Sequence, residues 1–260
     1  MGKIYAVVNQ KGGVGKTTTA VNLTAALTEA GKRVLLCDFD PQANATSGLG
    51  VDKRKAKLSV YDVIINNVAV TDTIVKTKFG DVLPSSADLA GAGVELLSVD
   101  DPSYRLKKAL DTVKEQYDVI FIDCPPSLEM LTVNGLAASD GILVPVQCEY
   151  YALEGLADLM TTLRLIKKRI NPALEIFGVV LTMFDGRTNF STQVAQEVRK
   201  HFPGKVFATV IPRNIRLAEA PSHGLPVTVY DRSSRGAQAY KALSQEFLKK
   251  LKGKGVFFSG

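Results

Sequence analysis

The sequence predicts an α/β fold in which a single doubly wound, mostly parallel sheet is flanked by helices. Short apolar runs of strand length alternate with longer segments of helical apolar spacing through most of the 260 residues. Several of these runs are continuously apolar, which is typical of strands covered on both faces of a parallel sheet. Such alternation implies right-handed βαβ crossovers and places ligand-binding residues outside the carboxyl ends of the strands.

The individual elements follow from these apolar patterns and from the residues that interrupt them. The predicted strands are Ile4–Val8, Val34–Asp38, Val82–Pro84, Val119–Asp123, Gly141–Pro145, Ile176–Thr182 and Val206–Ile211. The predicted helices are Thr17–Ala30, Pro102–Gln116, Leu153–Ile170, Asn189–His201 and Ala237–Leu251, and Gly31 and Pro172 stand where two of them should end. Because the chain has neither an internal repeat nor a linker-like stretch, we expect one domain over residues 1–260, with 251–260 as a flexible basic tail.

A glycine-rich turn lies between the first predicted strand and the first predicted helix. Residues 9–18 read Asn-Gln-Lys-Gly-Gly-Val-Gly-Lys-Thr-Thr. Glycines let backbone N–H groups converge on an anion, and a helix N-terminus adds positive potential. Lys16 would then neutralise the β- and γ-phosphates of a nucleotide, and the Thr17 hydroxyl would ligate Mg²⁺. The usual phosphate-loop pattern has a glycine where this chain has Gln10, and in exchange the chain has a second lysine, Lys11. The alternative is a simple glycine turn with solvated lysines.

Carboxylates follow two of the predicted strands. The second strand continues into Cys37-Asp38-Phe39-Asp40-Pro41, whose two acids could meet a metal ion or a water at the nucleotide. A later strand ends in Asp123 after four apolar residues, an arrangement that holds Mg²⁺ directly or through a water in phosphate-loop proteins. Pro125-Pro126 then force an extended turn that could sense the γ-phosphate. An acid at a strand end is a weak signal alone, but together with the glycine loop it predicts a magnesium–nucleotide site.

Charge is distributed unevenly along the chain, whose formal net charge is +6. Residues 1–150 carry 15 Lys/Arg against 18 Asp/Glu, whereas residues 151–260 carry 17 against 8. This basic second part predicts a polyanionic partner, either nucleic acid or an anionic membrane, unless it is simply a solvated surface. The sequence has no apolar run of membrane-spanning length and no signal peptide, so we expect a cytoplasmic protein. Its three separated cysteines argue against a disulfide framework or a zinc site.

Together these motifs resemble the deviant Walker A ATPases of the ParA/MinD family, and within it the ParA/Soj partitioning ATPases. The segments that carry the resemblance are KGGVGKTT, DFDPQANAT, IDCPPSL, PVQCEYYALEGL and IPRNIRLAEAPSHG. They cover nearly the whole chain. The resemblance implies ATP and Mg²⁺ as cofactors, ATP hydrolysis, and a homodimer that forms when ATP is bound between two subunits.

The resemblance also implies a role for each residue of the site. The nucleotide would be bound by Lys11, Gly12, Gly13, Val14, Gly15, Lys16, Thr17 and Thr18, with Pro212, Arg213 and Asn214 near the adenine. Lys16 would contact the phosphates of its own subunit, and Lys11 those bound by the other subunit. Gly12 would lie at the close dimer interface, where a side chain would obstruct dimerisation. Thr17, Asp40 and Asp123 would serve the metal, and Asp40 would also position or activate the hydrolytic water, so that catalysis rests on Lys11, Lys16 and Asp40.

A DNA-binding role follows from the same resemblance. It implies that the ATP-bound dimer binds double-stranded DNA non-specifically, and that a ParB/Spo0J-like partner stimulates slow intrinsic hydrolysis and so releases it. The candidate phosphate contacts are Arg187, Arg213, Arg216, Arg232 and Arg235, with Lys167, Lys168 and Arg169; each taken alone could be a solvated cation. Positions resembling Arg187 and Arg216 contribute to DNA binding in Soj-like relatives. We therefore expect a nucleoid-associated protein, and the region 149–156 with the following helix is a candidate contact surface for the partner.

Two alternatives belong to other functional classes. A MinD-like membrane ATPase that positions cell division would need a C-terminal amphipathic helix, of which residues 247–254 and Val256-Phe257-Phe258 offer some features. Lysines near a helix C-terminus also suit the helix dipole, and Gly253 and Gly255 would break a membrane helix. A relative of the nitrogenase iron protein would need cluster-bridging cysteines, and Cys124 and Cys148 do not stand in matching contexts. We expect no membrane partner.

Overall fold

The computed structural model describes residues 2–149 and 152–253, with only the backbone described at position 154. In this part of the chain six strands form one sheet, in the order β3-β2-β4-β1-β5-β6, and every neighbouring pair is parallel. The strands are β1 (Lys3–Val7), β2 (Val34–Asp38), β3 (Asp81–Leu83), β4 (Val119–Asp123), β5 (Gly141–Gln147) and β6 (Glu175–Thr182). The predicted parallel α/β architecture is confirmed.

Helices connect the strands and cover both faces of the sheet. They are α1 (Lys16–Glu29), α2 (Asn44–Gly48), α3 (Val60–Ile64), α4 (Val70–Thr73), α5 (Leu89–Glu95), α6 (Arg105–Asp111), α7 (Met130–Ala138), α8 (Ala152–Arg169), α9 (Asn189–His201), α10 (Ile215–Glu219), α11 (Val227–Tyr230) and α12 (Arg235–Gly253). Where the sequence predicts one helix over Pro102–Gln116, the structure has α6 only from Arg105 to Asp111, followed by a separate 3₁₀ turn at Lys114–Gln116.

The predicted seventh strand, Val206–Ile211, is not a strand in the structure. Both ends of the segment donate N–H bonds to carbonyls of β6, at 2.9 and 2.8 Å. Between them, the N–H groups of Ala208 and Thr209 donate to the carboxylate of Glu246, at 2.7 and 2.9 Å. A side chain of α12 therefore replaces the sheet as the hydrogen-bond partner in the middle of the segment.

The two faces of the sheet carry separate cores. One core packs α3 and α5 to α9 against the sheet, and the other packs α1 and α12 against the opposite face. The second core contains an aromatic cluster, in which the ring of Phe177 lies 4.5 Å from that of Tyr5 and 4.9 Å from that of Phe247. No helix in residues 2–149 or 152–253 is long and apolar enough to cross a membrane.

The first residues of the predicted flexible tail, 251–253, are helical in the structure. Helix α12 continues to Gly253, and Leu251 is fully buried. Residues 254–260, which carry the rest of that prediction and the Val256-Phe257-Phe258 segment of the membrane alternative, lie outside the described residues.

Candidate nucleotide-binding site

The glycine loop lies at the carboxyl end of β1, a central strand between β4 and β5. Gly13 and Gly15 have φ angles of 74° and 88°, a left-handed conformation that side-chain-bearing residues rarely adopt. Helix α1 begins directly after the loop, and no side chain caps its N-terminus. The first N–H groups of the helix are therefore available to an anion.

Buried polar side chains hold this loop in place. Asn9 donates from Nδ2 to the carbonyl of Pro145 in β5 at 2.8 Å and accepts from the N–H of Lys11 at 3.0 Å. On the other side, Thr182 at the end of β6 donates from Oγ1 to the carbonyl of Val14 at 2.8 Å. Sequence reasoning missed Asn9 and Thr182, since their partners lie more than 130 residues away in the chain.

Lys16 is the first residue of α1, and only 7% of its surface is exposed. Its Nζ donates to the carbonyl of Lys11 at 3.1 Å. Burial lowers the pKa of Lys16, and the nearby carboxylates of Asp123 and Asp40 oppose that shift. Among the described residues no carboxylate forms an ion pair with this buried ammonium, so an incoming anion would stabilise it, and the site fits the phosphates of a nucleotide.

Two carboxylates lie next to each other at the ends of adjacent strands, and one of them, Asp123, is close enough to Lys16 to influence its pKa. Asp38 and Asp123 are register partners at the ends of β2 and β4, and both are fully buried. Asp38 accepts hydrogen bonds from the N–H and the hydroxyl of Thr46, both at 2.6 Å. Neither oxygen of Asp123 accepts a geometrically complete hydrogen bond from a described residue, although the Thr17 hydroxyl is near enough to oppose a rise in its pKa.

These buried carboxylates fit a divalent cation. Burial, followed by the charge of Asp38, raises the pKa of Asp123 well above its usual range, and burial raises that of Asp38 to about 6. The described residues contain no cluster of three or more His, Cys, Asp and Glu side chains that could hold a metal. Mg²⁺ does not need one, because it is commonly bound by one or two protein oxygens, substrate phosphates and waters. The assignment of Thr17 and Asp123 as its ligands stays a prediction.

Asp40 lies on the loop between β2 and α2, half-buried. Its N–H donates to Asp38 at 3.3 Å, and its Oδ1 accepts from the N–H of Gln42 at 2.9 Å. Because Asp38 also binds Thr46 in α2, this carboxylate fixes both ends of the loop that carries Asp40. The loop lies close enough to the glycine loop for Asp40 to influence the pKa of Lys16.

A cleft of about 350 Å³ adjoins the glycine loop. Gly15 and Thr18 border it on one side and the predicted adenine loop, Pro212–Asn214, on the other. Leu217 and Tyr240 add apolar surface. The structure therefore brings the predicted adenine loop to the phosphate loop, with room for a flat apolar base between them.

The five predicted DNA-contacting arginines are all exposed, and three of them form ion pairs within the chain. Arg187 pairs with Asp185 at 2.7 Å, Arg213 with Glu149 at 3.5 Å, and Arg216 with Glu219 at 2.8 Å and Asp231 at 3.3 Å. Arg232 and Arg235 form no ion pair with a described residue. Lys167, Lys168 and Arg169 end α8 at the opposite end of the sheet, away from these arginines.

Comparison with known proteins gives consistent results. Residues 2–176 match a family model described as an AAA domain. The chain is 56% identical over 248 residues to the sporulation initiation inhibitor protein Soj of Bacillus subtilis, which covers 95% of this chain and 98% of that protein. It is 50% identical over 250 residues to the chromosome partitioning protein ParA of Caulobacter vibrioides, covering 95% of this chain and 94% of the relative.

Solved structures with the same fold include nucleotide-bound proteins. A structure described as cobyrinic acid a,c-diamide synthase from Mycobacterium smegmatis, with bound ADP and magnesium, superposes with a TM-score of 0.86 at 39% identity, covering 98% of this chain and 97% of that one. The cell division ATPase MinD of Pyrococcus furiosus superposes with a TM-score of 0.79 at 31% identity, covering 96% and 99%. Both resemble this chain less in sequence than the Soj and ParA relatives do.

Proposed function

The chain belongs to the Soj/ParA family of chromosome-partitioning ATPases, and we propose that ATP switches it between a DNA-bound dimer and a released monomer. Its function is ATP-dependent DNA segregation, with ATP and Mg²⁺ as cofactors. The observation that carries the nucleotide assignment is the buried Lys16 next to the glycine loop, close to Asp123, which accepts no hydrogen bond of good geometry from a described residue. The membrane alternative has weaker support, since the MinD structure is 31% identical and Soj 56%.

In the proposed reaction each side chain has a separate task. Lys16 and the N–H groups at the start of α1 bind the β- and γ-phosphates, and Thr17 and Asp123 hold Mg²⁺, which neutralises phosphate charge when bound. Asp40 orients the attacking water in line with the leaving group. These contributions are positioning and charge stabilisation, which dominate phosphoryl transfer.

The second lysine and Gly12 link the reaction to dimerisation. A Cβ atom added at Gly12 would meet no atom of its own subunit within 4 Å, so this point of the loop is open to a second molecule. We propose that the two subunits face each other across their glycine loops and that Lys11 of each reaches the phosphates bound by the other. Hydrolysis would then require the dimer, as it does when an arginine finger is supplied in trans.

Dimerisation also strengthens DNA binding in this proposal. Two copies of Arg187, Arg213, Arg216, Arg232 and Arg235 would contact the DNA backbone together, and affinity rises steeply with the number of phosphates neutralised. A ParB/Spo0J-like protein would stimulate hydrolysis and release the dimer. The protein would therefore associate with the nucleoid in the cytoplasm.

The proposal is tested by binding an unrelated DNA duplex at low and moderate salt, with ATP, with ADP and without nucleotide. We expect binding with ATP alone, weakened by salt, and lost in the Arg216→Glu and Gly12→Val variants. Turnover is measured in parallel with DNA and a ParB-like protein, which should raise it. Binding that does not depend on the nucleotide would contradict the switch, and ATP-dependent pelleting on anionic liposomes without DNA binding would favour the membrane alternative.

A further inference from the structure

A second cleft, of about 430 Å³, lies where the C-terminal turns of α8 and α9 meet the start of β6. Its floor is apolar. Leu163, Leu174 and Phe202 are buried, with 5%, 1% and 8% of their surfaces exposed, and Met160 and Ile176 are half-buried beside them. We call it the basic cleft, because of the charges on its rim.

The rim of the basic cleft carries four basic side chains: Arg164, Lys167, His201 and Lys205. Glu175 is the one acid that lines the cleft within the described residues, and it lies 3.9 Å from the Nζ of Lys205. Arg164 and Lys167 are exposed and form no ion pair with any described residue. The rim thus has an excess of positive charge above an apolar floor.

Helix dipoles account for only part of this charge. Basic residues are favoured in the last turn of a helix, which covers Lys167 in α8 and His201 in α9. Arg164 lies before the last turn of α8, and Lys205 lies beyond the end of α9. The convergence of all four side chains on one apolar depression therefore needs another explanation.

The basic cleft is separate from the nucleotide site and from the arginines assigned to DNA. Leu174 and Glu175 place it at the amino end of β6, whereas the phosphate loop and the adenine loop lie at the carboxyl ends of the strands. Its concave apolar floor also distinguishes it from a duplex-binding surface, because a phosphate backbone offers no apolar group to fill it. A peptide can fill the floor with a side chain and supply carboxylates to the rim.

We propose that the basic cleft binds an acidic amphipathic segment of a partner protein. Carboxylates of the segment would pair with Arg164, Lys167 and Lys205, and an adjacent large apolar side chain would pack over Leu163 and Phe202. Such a surface gives specificity by charge complementarity and affinity by burial of the apolar anchor. The inference goes beyond the DNA switch, since it assigns a protein-binding site to the face that the switch leaves unused.

The chain's own C-terminal residues are a poorer occupant. Helix α12 ends near the cleft, since Lys250 Nζ donates to the carbonyls of Gly204 and Lys205 at 3.3 and 3.4 Å. Residues 254–260 could therefore reach it, and they include Val256-Phe257-Phe258. They also bring Lys254 and no acidic side chain, which opposes the charge of the rim.

A matched pair of substitutions tests the proposal. Lys167→Glu and Lys168→Glu make the same charge change on adjacent exposed residues of α8, but Lys167 alone lines the cleft. A displayed library of random peptides is selected on the full-length wild-type protein, and the enriched peptides are screened against both variants. Thermal unfolding of each variant serves as the check on folding.

The expected result is a class of peptides rich in Asp or Glu next to Leu, Ile or Phe. A synthetic member of this class should bind the Lys167→Glu variant at least about tenfold more weakly, and the Lys168→Glu variant within about twofold of wild type. Enriched peptides without that composition, equal loss in both variants, or no cleft-dependent peptide at all would overturn the proposal.

Two further measurements test whether DNA or residues 254–260, rather than a partner protein, occupy the basic cleft. If Lys167→Glu weakened duplex binding as much as Arg216→Glu, the cleft would belong to the DNA surface and the proposal would be wrong. If a chain ending at Gly253 bound the acidic peptide about tenfold more tightly than the full chain, residues 254–260 would be the resident occupant and the proposal would also be wrong. If Lys167→Glu bound the duplex as wild type does, and the chain ending at Gly253 bound the peptide as the full chain does, the results would support a protein partner.

Discussion

Asp38 and Asp123 lie opposite each other at the ends of β2 and β4, as register partners that are both fully buried. Thr46 satisfies Asp38 with two hydrogen bonds, whereas Asp123 accepts none of good geometry from a described residue. Burial and the charge of Asp38 raise the pKa of Asp123 well above its usual range. Two ionised carboxylates in this arrangement are unfavourable on their own, and a bound cation would stabilise them.

Replacement of Asp123 by Asn should therefore stabilise the protein without nucleotide and metal. A carboxyl whose pKa is higher in the folded state binds more protons when folded, so its contribution to stability is present below the unfolded pKa and is lost as pH rises through the folded pKa. Because Asn removes this ionisation, we expect the free energy of unfolding to exceed that of wild type by about 1–3 kcal/mol at pH 8. The excess should shrink towards pH 4.

Urea unfolding in EDTA at several pH values measures this difference. The same variant should gain less stability from ATP and Mg²⁺ than wild type gains, since a proposed metal-holding carboxylate is missing. A variant that is less stable than wild type at pH 8, or whose stability difference does not depend on pH, would show that the folded state does not disfavour the ionised form of Asp123.

Substitution of Gly12 should leave the monomer intact and prevent its association. A Cβ at Gly12 meets nothing within 4 Å, whereas Gly13 has a φ of 74° that strains any side chain. We expect Gly12→Val to unfold within about 2 °C of wild type and to bind ATP, but to stay monomeric. Gly13→Val is the contrast, because it should lose about 1–2 kcal/mol of stability as a monomer.

Thermal unfolding and sedimentation velocity with a non-hydrolysed ATP analogue separate the two effects. If Gly12→Val dimerised normally, the proposed close approach of two subunits at this loop would be incorrect. A large loss of monomer stability in Gly12→Val would instead contradict the open surroundings of this residue.

Neutralising an acid beside Arg216 should strengthen DNA binding. Glu219 and Asp231 both pair with this arginine and would compete with DNA phosphates for it. Exposed ion pairs are weak, so we expect Glu219→Gln to raise the affinity of the ATP form by only about two- to fivefold at low salt. The matched control is Glu197→Gln, which removes the charge of a similarly exposed acid that pairs with Lys200 on α9.

Fluorescence anisotropy with a labelled duplex provides the measurement. An equal gain in both variants would indicate a general effect of net charge on DNA attraction. A loss in Glu219→Gln would mean that Glu219 holds Arg216 in its binding position rather than competing for it.

Local sequence patterns predicted those elements whose stability depends on local features. Asn189–His201 was predicted to the residue, and the side chain of Thr188 caps its N-terminus. The glycine loop and the ends of β2 and β4 were also located from the sequence. Helix α7 was missed because it is apolar on nearly every face and therefore lacks an amphipathic period.

The remaining features depend on partners that are distant in the chain. Asn9 and Thr182 hold the glycine loop through contacts that span 136 and 168 residues. The segment Val206–Ile211 has the composition of a strand, but Glu246 captures two of its N–H groups from 38 and 37 residues away. Periodicity reports which residues are buried, and it carries no information on such long-range hydrogen bonds.

The Glu246 contact yields a further prediction, because the segment that it holds leads directly into the adenine loop. Glu246→Ala removes two charge-assisted hydrogen bonds, one of them partly buried, and should lower the free energy of unfolding by about 1–2 kcal/mol. The loosened segment should also weaken ATP binding several-fold, since Pro212–Asn214 border the nucleotide cleft. Gln245→Ala, an exposed neighbour on α12, is the control and should change neither property. Urea unfolding and titration with a fluorescent ATP analogue distinguish the outcomes: a loss of stability with unchanged affinity would mean that the adenine loop is positioned by its contacts with β6 and α10 rather than by Glu246.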